Sequence, residues 1–200
     1  GRSIYVVGGF ERSSGSTVGT LERYDIRRNR WRRLRSLPVG VNHPTAVAYR
    51  GRLYVHGGYR ARTSLSSTTA RLWVYNPRRN RWSRLRSSPT PRAAHAVGIV
   101  GGRLYAAGGA NESGSLRTMD VYSFRRNRWA RGPSFPGPER DHTTGAATGG
   151  RFYVLAGRQG SRGNFTVAES YNPGTRRWSR LPDMRRARGG IAAAVVRGRI

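Results

Sequence analysis

Cysteine and lysine are both absent from this 200-residue sequence, methionine occurs twice, and acidic residues number only nine. Without cysteine there is no disulfide, no thiolate nucleophile and no cysteine-ligated metal; the compartment stays open. Without lysine, all 38 basic residues are arginine, and the nine acids leave a formal charge of +29. Such a chain repels itself and draws polyanions without specificity. Coding bias is enough to explain arginine in place of lysine, but not the shortage of acids. No apolar run approaches membrane-spanning length, and there is no signal-peptide pattern and no initiator methionine. The sequence opens on Gly1 at the approach to a strand and stops at Ile200 just inside another, so it reads as part of a longer chain. Walker, dinucleotide-binding and Ser-His-Asp patterns are missing, as are RNA-binding motifs, a recognition helix and zinc fingers.

Glycine and proline, by contrast, are abundant at 27 and 10 residues, the profile of a turn-rich sheet protein. The length suits one domain with a sizeable core. Internal similarity decides the architecture. RRNRW stands at 27–31, 78–82 and 125–129, and a near-copy, GTRRW, at 174–178. The tryptophans Trp31, Trp82, Trp129 and Trp178 lie 51, 47 and 49 residues apart. Seven residues before each stands a tyrosine: Tyr24, Tyr75, Tyr122 and Tyr171. Gly8-Gly9, Gly57-Gly58, Gly108-Gly109 and then Ala156-Gly157 keep the same period.

Each unit reads as four short strands. In the second, strand a runs roughly 43–49, strand b 53–58, strand c 71–75 and strand d 81–85, with NPRRN turning c into d. Small, β-branched and aromatic residues fill the strands, and the segments are too short and too rich in glycine for helices. The paired glycines supply positive φ and close backbone approach, and the Tyr–Trp pair supplies apolar area. The units fall at roughly 1–42 (b-c-d), 43–93, 94–140, 141–189 and 190–200, the last a lone strand a at about 191–196 and the start of b.

Paired glycine, then Tyr-Asp or Tyr-Asn, then tryptophan seven past the tyrosine resembles the kelch repeat, in four copies over essentially the whole chain. The resemblance implies an all-β propeller of four-stranded antiparallel blades. Two positions depart from the pattern: Ala156 replaces a glycine, and Ser123 replaces the acid or amide after the third tyrosine. The first and last pieces would combine into one blade of a closed four-blade ring; kelch propellers are mostly larger, which favours part of a larger ring.

In an up-and-down blade the a–b and c–d turns share one face, and the b–c and d–a connections share the other. The c–d turns carry Arg27, Arg28 and Arg30; Arg78, Arg79 and Arg81; Arg125, Arg126 and Arg128; and Arg176 and Arg177. The a–b turns add Arg2, Arg50, Arg52, Arg103, Arg151, Arg197 and Arg199. Of the acids only Asp25 lies near that face. One rim is therefore predicted to be cationic and suited to carboxylate- or phosphate-rich partners, an acidic protein or glycan first. Nucleic acid is an alternative, held through its backbone and sensitive to salt. Solvated turns made of arginine by coding bias would look the same. The regular tryptophans read as blade packing. Trp73, standing where the other units carry Glu22, Asp120 and Glu169, is predicted to face a partner or a neighbouring blade.

His43, His95 and His142 recur near the start of strand a, the innermost strand by kelch analogy, and His56 sits beside a glycine pair. Three imidazoles suit a metal, but blades two apart separate them and the fourth unit has Ile191; no metal and no cofactor is called for. Some kelch proteins are enzymes. The copper radical branch that resembles galactose oxidase needs a cysteine, which this chain lacks. The branch that epimerises sialic acid would use arginines on the b–c and d–a side, from Arg60, Arg62, Arg92, Arg140, Arg158, Arg162 and Arg188. Its acid–base pair would be His95 or His142 with Glu139 or Asp141. Non-catalytic binding is the leading expectation, through the arginine rim and the variable b–c loops at 10–20, 59–70, 110–118 and 158–167.

Overall fold

Strands form where the sequence alternates small, β-branched and aromatic residues, and they stop at glycine and asparagine turns. In the computed structural model, which describes residues 3–200 and all of their side chains but that of Ser161, they build one three-stranded and three four-stranded antiparallel sheets. The first holds β1 (Ser3–Val7), β2 (Leu21–Asp25) and β3 (Arg30–Leu34); the second holds β4 (Thr45–Tyr49), β5 (Arg52–His56), β6 (Leu72–Asn76) and β7 (Arg81–Leu85). The third holds β8 (Ala96–Val100), β9 (Arg103–Ala107), β12 (Met119–Ser123) and β13 (Arg128–Gly132), with a ribbon of β10 (Ala110–Asn111) and β11 (Gly114–Ser115) in its b–c loop. The fourth holds β14 (Thr144–Thr148), β15 (Arg151–Leu155), β18 (Ala168–Asn172) and β19 (Arg177–Arg180), and its loop ribbon pairs β16 (Arg158–Gln159) with β17 (Gly163–Asn164).

Within each sheet the strands follow chain order, so every connection is between neighbours. The inner strands β4, β8 and β14 lie against one another, and β3, β7, β13 and β19 form the outer edges. This is the all-β propeller. The predicted lone strand at about 191–196 does not form: only Val196 and Arg199 bridge, around Arg197 and Gly198 at positive φ. The run of small residues there meets no ladder; β1 pairs with β2 alone among the described strands.

Packing is sheet against sheet. Leu21, Leu37 and Val41 meet Leu53, Val55 and Tyr75 between the first and second sheets. Tyr54, Leu72 and Val74 meet Val97, Leu104 and Tyr122 between the second and third. Tyr105 and Met119 meet Phe152, Val154 and Tyr171 between the third and fourth. At about 25 cal/mol per Å² of apolar surface removed from water, these interfaces are the main stabilising term.

The glycine pair does two jobs. The second glycine of each pair has φ between 87° and 113° (Gly9, Gly58, Gly109, Gly157), where side chains are rare; the first has φ 66–70° in Gly8, Gly57 and Gly108. Ala156, at φ 53°, therefore fits the first place only. The amide of each second glycine donates to a carbonyl in the connection that follows its own sheet: Gly9 to Val41 (2.8 Å), Gly58 to Arg92, Gly109 to Arg140 and Gly157 to Arg188 (each 2.9 Å). A Cβ on Gly57 would collide with the Arg92 carbonyl.

RRNRW is also resolved into parts. Tyrosine and tryptophan are direct cross-strand partners in every sheet, with ring centroids 5.0–5.2 Å apart. The asparagine sits at φ 46° in Asn29, Asn80 and Asn127 and accepts from the tyrosine hydroxyl at 2.5, 2.6 and 2.7 Å. Burial, with Tyr54 adding, pushes the Tyr122 phenol up to about 12, so it remains a donor. In the fourth turn Arg176 takes the positive-φ place, at 57°. The indole N–H of Trp82, Trp129 and Trp178 donates to the Arg35, Arg86 and Pro133 carbonyls of the preceding unit at 2.7–2.8 Å.

Candidate functional site

Two regions bring polar chemistry together, one on each face. On the b–c side, Asp141 and Arg158 are placed by a backbone bridge in which each amide donates to the other's carbonyl, at 2.9 and 2.8 Å. Asn42–Tyr59 and Ala93–Ala110 repeat that bridge in the second and third sheets. The residue after it adopts positive φ in His43 (51°), Ala94 (51°) and His142 (46°). His43 and His142 are thus equivalent, and they meet edge to face with centroids 5.0 Å apart, although two sheets separate them in the chain. The expectation that blades two apart would hold them away from each other is corrected by how closely the inner strands approach.

The arrangement fixes tautomers. His142 Nδ1 donates to Asp141, and its Nε2 accepts from Arg158 Nη2 at 3.1 Å. His43 Nδ1 donates to Asn42 Oδ1 at 2.8 Å. Burial lowers the His43 pKa, with the His142 and Arg158 charges adding. Burial works to raise the Asp141 pKa, but hydrogen bonds from His142 and Ser115 and the nearby positive charges bring it below the usual carboxylate range. Chemically this is an oriented imidazole beside a guanidinium at the b–c ends of the inner strands. Among the described residues no set of three metal-suited side chains comes together.

Several predicted site residues lie elsewhere. Arg92 and Arg140, expected on a binding surface, are fully buried. Arg92 pairs with Asp120 at 2.8 Å and donates to the Gly108 and Thr118 carbonyls. Arg140 pairs with Glu169 at 2.6 Å, donates to the Ala156 carbonyl and stacks 4.3 Å from the Phe135 centroid. Both are structural ties, because a buried guanidinium needs a partner for its charge. Trp73 packs in the cluster between the first and second sheets and is not presented to a partner. With Val41 it fills the place that Arg92–Asp120 and Arg140–Glu169 occupy in the next two sheets. His95 falls one position beyond the His43 and His142 register, is buried, and shares a hydrogen bond of 2.9 Å between its Nε2 and His56 Nδ1. It is therefore withdrawn from the acid–base pair. Glu139 is exposed and adds no side-chain hydrogen bond to the Asp141–His142 cluster. Arg60 and Arg188 are exposed on the b–c side, and Arg62 donates to Ser16. Arg2 lies outside the described residues.

On the opposite face the a–b and c–d turns form a groove of about 1070 Å³ around the third c–d turn. Arg125, Arg126, Arg128 and Arg131 come from that turn and β13, Arg50 and Arg52 from the second sheet, and Arg103 and Arg176 from the adjoining turns. All eight are exposed, none is paired with a carboxylate among the described residues, and no acid lines the groove. The first turn differs: Asp25 lies 3.5 Å from Arg28 and 4.0 Å from Arg23. The groove depends on which side chains four turns bring together, so the repeat pattern points to its face but not to its place.

Residues 1–200 match the KLHDC2/KLHL20/DRC7 Kelch-repeats domain. The chain belongs to that Kelch-repeat family. The Kelch-repeat chain is 34% identical over 110 residues to Kelch-like ECH-associated protein 1A of Danio rerio, covering 55% of this chain and 18% of that protein. It is 32% identical over 108 residues to Kelch-like protein 34 of Homo sapiens, covering 53% and 17%. It thus spans less than a fifth of the length of these curated relatives. Among solved structures, that of YjhT superposes with a TM-score of 0.83 at 16% identity, over 96% of this chain and 70% of that one, a likeness of fold.

Proposed function

We propose that this Kelch-repeat domain is a non-catalytic binding scaffold whose arginine-rich turn face receives an acidic partner, a protein or a glycan. Kelch-repeat membership supports a protein-interaction domain in general. The observation that carries the finer reading is the groove: exposed arginines without carboxylate partners, gathered from three sheets. Guanidinium forks bind carboxylates and sulfates through paired N–H donors, which suits such ligands better than a point charge would. The opposite face keeps Asp141, Glu112 and Asp183 in hydrogen bonds of its own, whereas no acid lines the groove.

The test is a triple variant, R103S/R126S/R176S, one arginine from each of three turns that line the groove, titrated with a fluorescent oligoglutamate at low and moderate salt. Unchanged thermal stability with affinity weakened by about tenfold is expected. Affinity equal to that of the unaltered protein sinks the rim as the contact surface.

A second reading rests on the His142 cluster. His142, oriented by Asp141 and next to Arg158, has the parts of an acid–base site for an acidic sugar. The check is the rate of anomer exchange of N-acetylneuraminate, followed by NMR with the protein and with His142→Gln; equal rates end this reading.

A further inference from the structure

We infer that the occupant of the arginine groove is an extended acidic segment of a polypeptide, lying along the outer edge of β13. This rests on the reading of the turn face as a site for acidic partners and narrows it in place and in chemistry.

The place follows from the lining. All five residues of β13 border the groove, and among the described residues β13 pairs only with β12. Its other edge offers unpaired backbone amides and carbonyls, which alternate along an antiparallel strand. A peptide can answer those groups by adding a strand; a glycan or a nucleic acid cannot. The sign of the charge selects among peptides. Arg128 and Arg131 on β13, with Arg125 and Arg126 beside it, repel basic strands, including those of a second copy of this chain at +29. An acidic strand turns that repulsion into attraction.

The aromatic lining argues in the same direction. A single-stranded nucleic acid would need free ring faces for its bases. Tyr49 is stacked on Phe124 at 4.4 Å with its planes 22° apart, and the Arg50 guanidinium lies 5.2 Å from the Tyr49 centroid, so both kinds of neighbour already cover the ring. Phe124 is met edge-on by Tyr54 and Tyr122, and Trp129 packs on Tyr122 and His56. The groove therefore reads charge and backbone, and offers no platform for bases.

The second c–d turn supplies an internal control. Arg78, Arg79 and Arg81 are exposed, occupy the same turn type and lie outside the groove. R125S/R126S/R128S and R78S/R79S/R81S remove equal charge. Each would be titrated at fixed ionic strength with labelled twelve-residue oligoglutamate, a heparin fragment and oligo-dT of matched charge. We expect the oligoglutamate affinity to fall at least about tenfold in the groove variant and less than about threefold in the control, with oligoglutamate preferred over oligo-dT by the unaltered protein. Equal losses in the two variants overturn the groove while leaving a diffuse rim standing. Oligo-dT or heparin bound more tightly than oligoglutamate, with the same groove dependence, overturns the peptide. No binding of any of the three polyanions by the unaltered protein removes the broader acidic-partner reading as well.

Discussion

The second sheet and the third solve one packing problem in opposite ways. Where the chain enters the second sheet, Val41 and Trp73 bury apolar surface; at the same places the third sheet buries Arg92 against Asp120, and the fourth Arg140 against Glu169. Both solutions fill the space beneath the glycine pair. The ionic one also ties strand ends, because Arg92 donates to the Gly108 and Thr118 carbonyls and Arg140 to the Ala156 carbonyl. It is less complete in the third sheet, where Arg92 Nε and Asp120 Oδ1 lack partners, than in the fourth, where Glu169 also accepts from the Gly137 amide at 2.7 Å. The comparison shows that two of the three acids at the start of the c strands are held by the fold, and that the arginines divide into buried ties and exposed turns.

The largest effect should come from breaking one partner of a buried pair. Asp120→Ala leaves Arg92 buried and uncompensated, and should cost about 3–5 kcal/mol in urea unfolding. Arg92→Met with Asp120→Leu moves the third sheet toward the apolar solution of the second, and should cost clearly less than Asp120→Ala alone. A double variant as unstable as the single one would mean that the carbonyl ties, not the charge, carry the third sheet.

A smaller effect separates the interfaces by pH. Between the second and third sheets, Thr45, His95, His56 and Ser88 form a buried hydrogen-bonded group: Thr45 Oγ1 lies 3.1 Å from His95 Nδ1 and 2.9 Å from its Nε2, His95 Nε2 lies 2.9 Å from His56 Nδ1, and His56 Nε2 lies 3.0 Å from Ser88 Oγ. Burial, with the Arg92 charge adding, lowers the His56 pKa to about 3; burial, His56 and Arg92 hold His95 well below its ordinary value. The folded protein therefore takes up these protons less readily than the unfolded chain. Stability is fully present above about pH 6.5 and is lost as pH falls toward 3, by about 2 kcal/mol at pH 5 for His56, with His95 acting in the same direction. Melting temperatures from pH 7.5 to 4.5 should drop, and His56→Asn should flatten the slope. A pH-independent midpoint would show that the group is not neutral in the folded state.

The smallest effects lie in the turns. Asn127→Ala removes the acceptor for Tyr122 and places alanine at φ 46°, a loss of about 1–2 kcal/mol. Arg176→Asn should give the fourth turn the bond the other three possess, a gain of about 0.5–1 kcal/mol by thermal melting. A loss in that variant would mean that the Tyr171 hydroxyl does not reach the turn.

The propeller was legible because its determinants are local and repeated. The glycine pairs and the Tyr–Trp spacing fix strand ends and cross-strand partners within each unit, and c–d turn positions could be read from NPRRN itself. The sites were less legible because they depend on contacts between units. His95 reads as a neighbour of His142 when residues are counted from strand starts, yet one position of register sends it into a packed interface while His142 meets His43 at the b–c ends of the inner strands. Arg92 and Arg140 look like surface residues by type, and only the facing Asp120 and Glu169 reveal them as buried. A signal was present: each of those acids stands where the second unit has Trp73, paired with an arginine where that unit has Val41. For the asparagine of RRNRW, the turn place was visible but the tyrosine hydroxyl bonded to it was not.

The indole bonds give the molecule an optical property. Trp82, Trp129 and Trp178 each donate to a carbonyl of the unit before them and are at most partly exposed, whereas Trp31 is 52% exposed. Separation of two neighbouring sheets therefore wets one particular indole. Variants keeping a single tryptophan at 82, 129 or 178 would turn emission wavelength into a sheet-by-sheet record of where the propeller opens first.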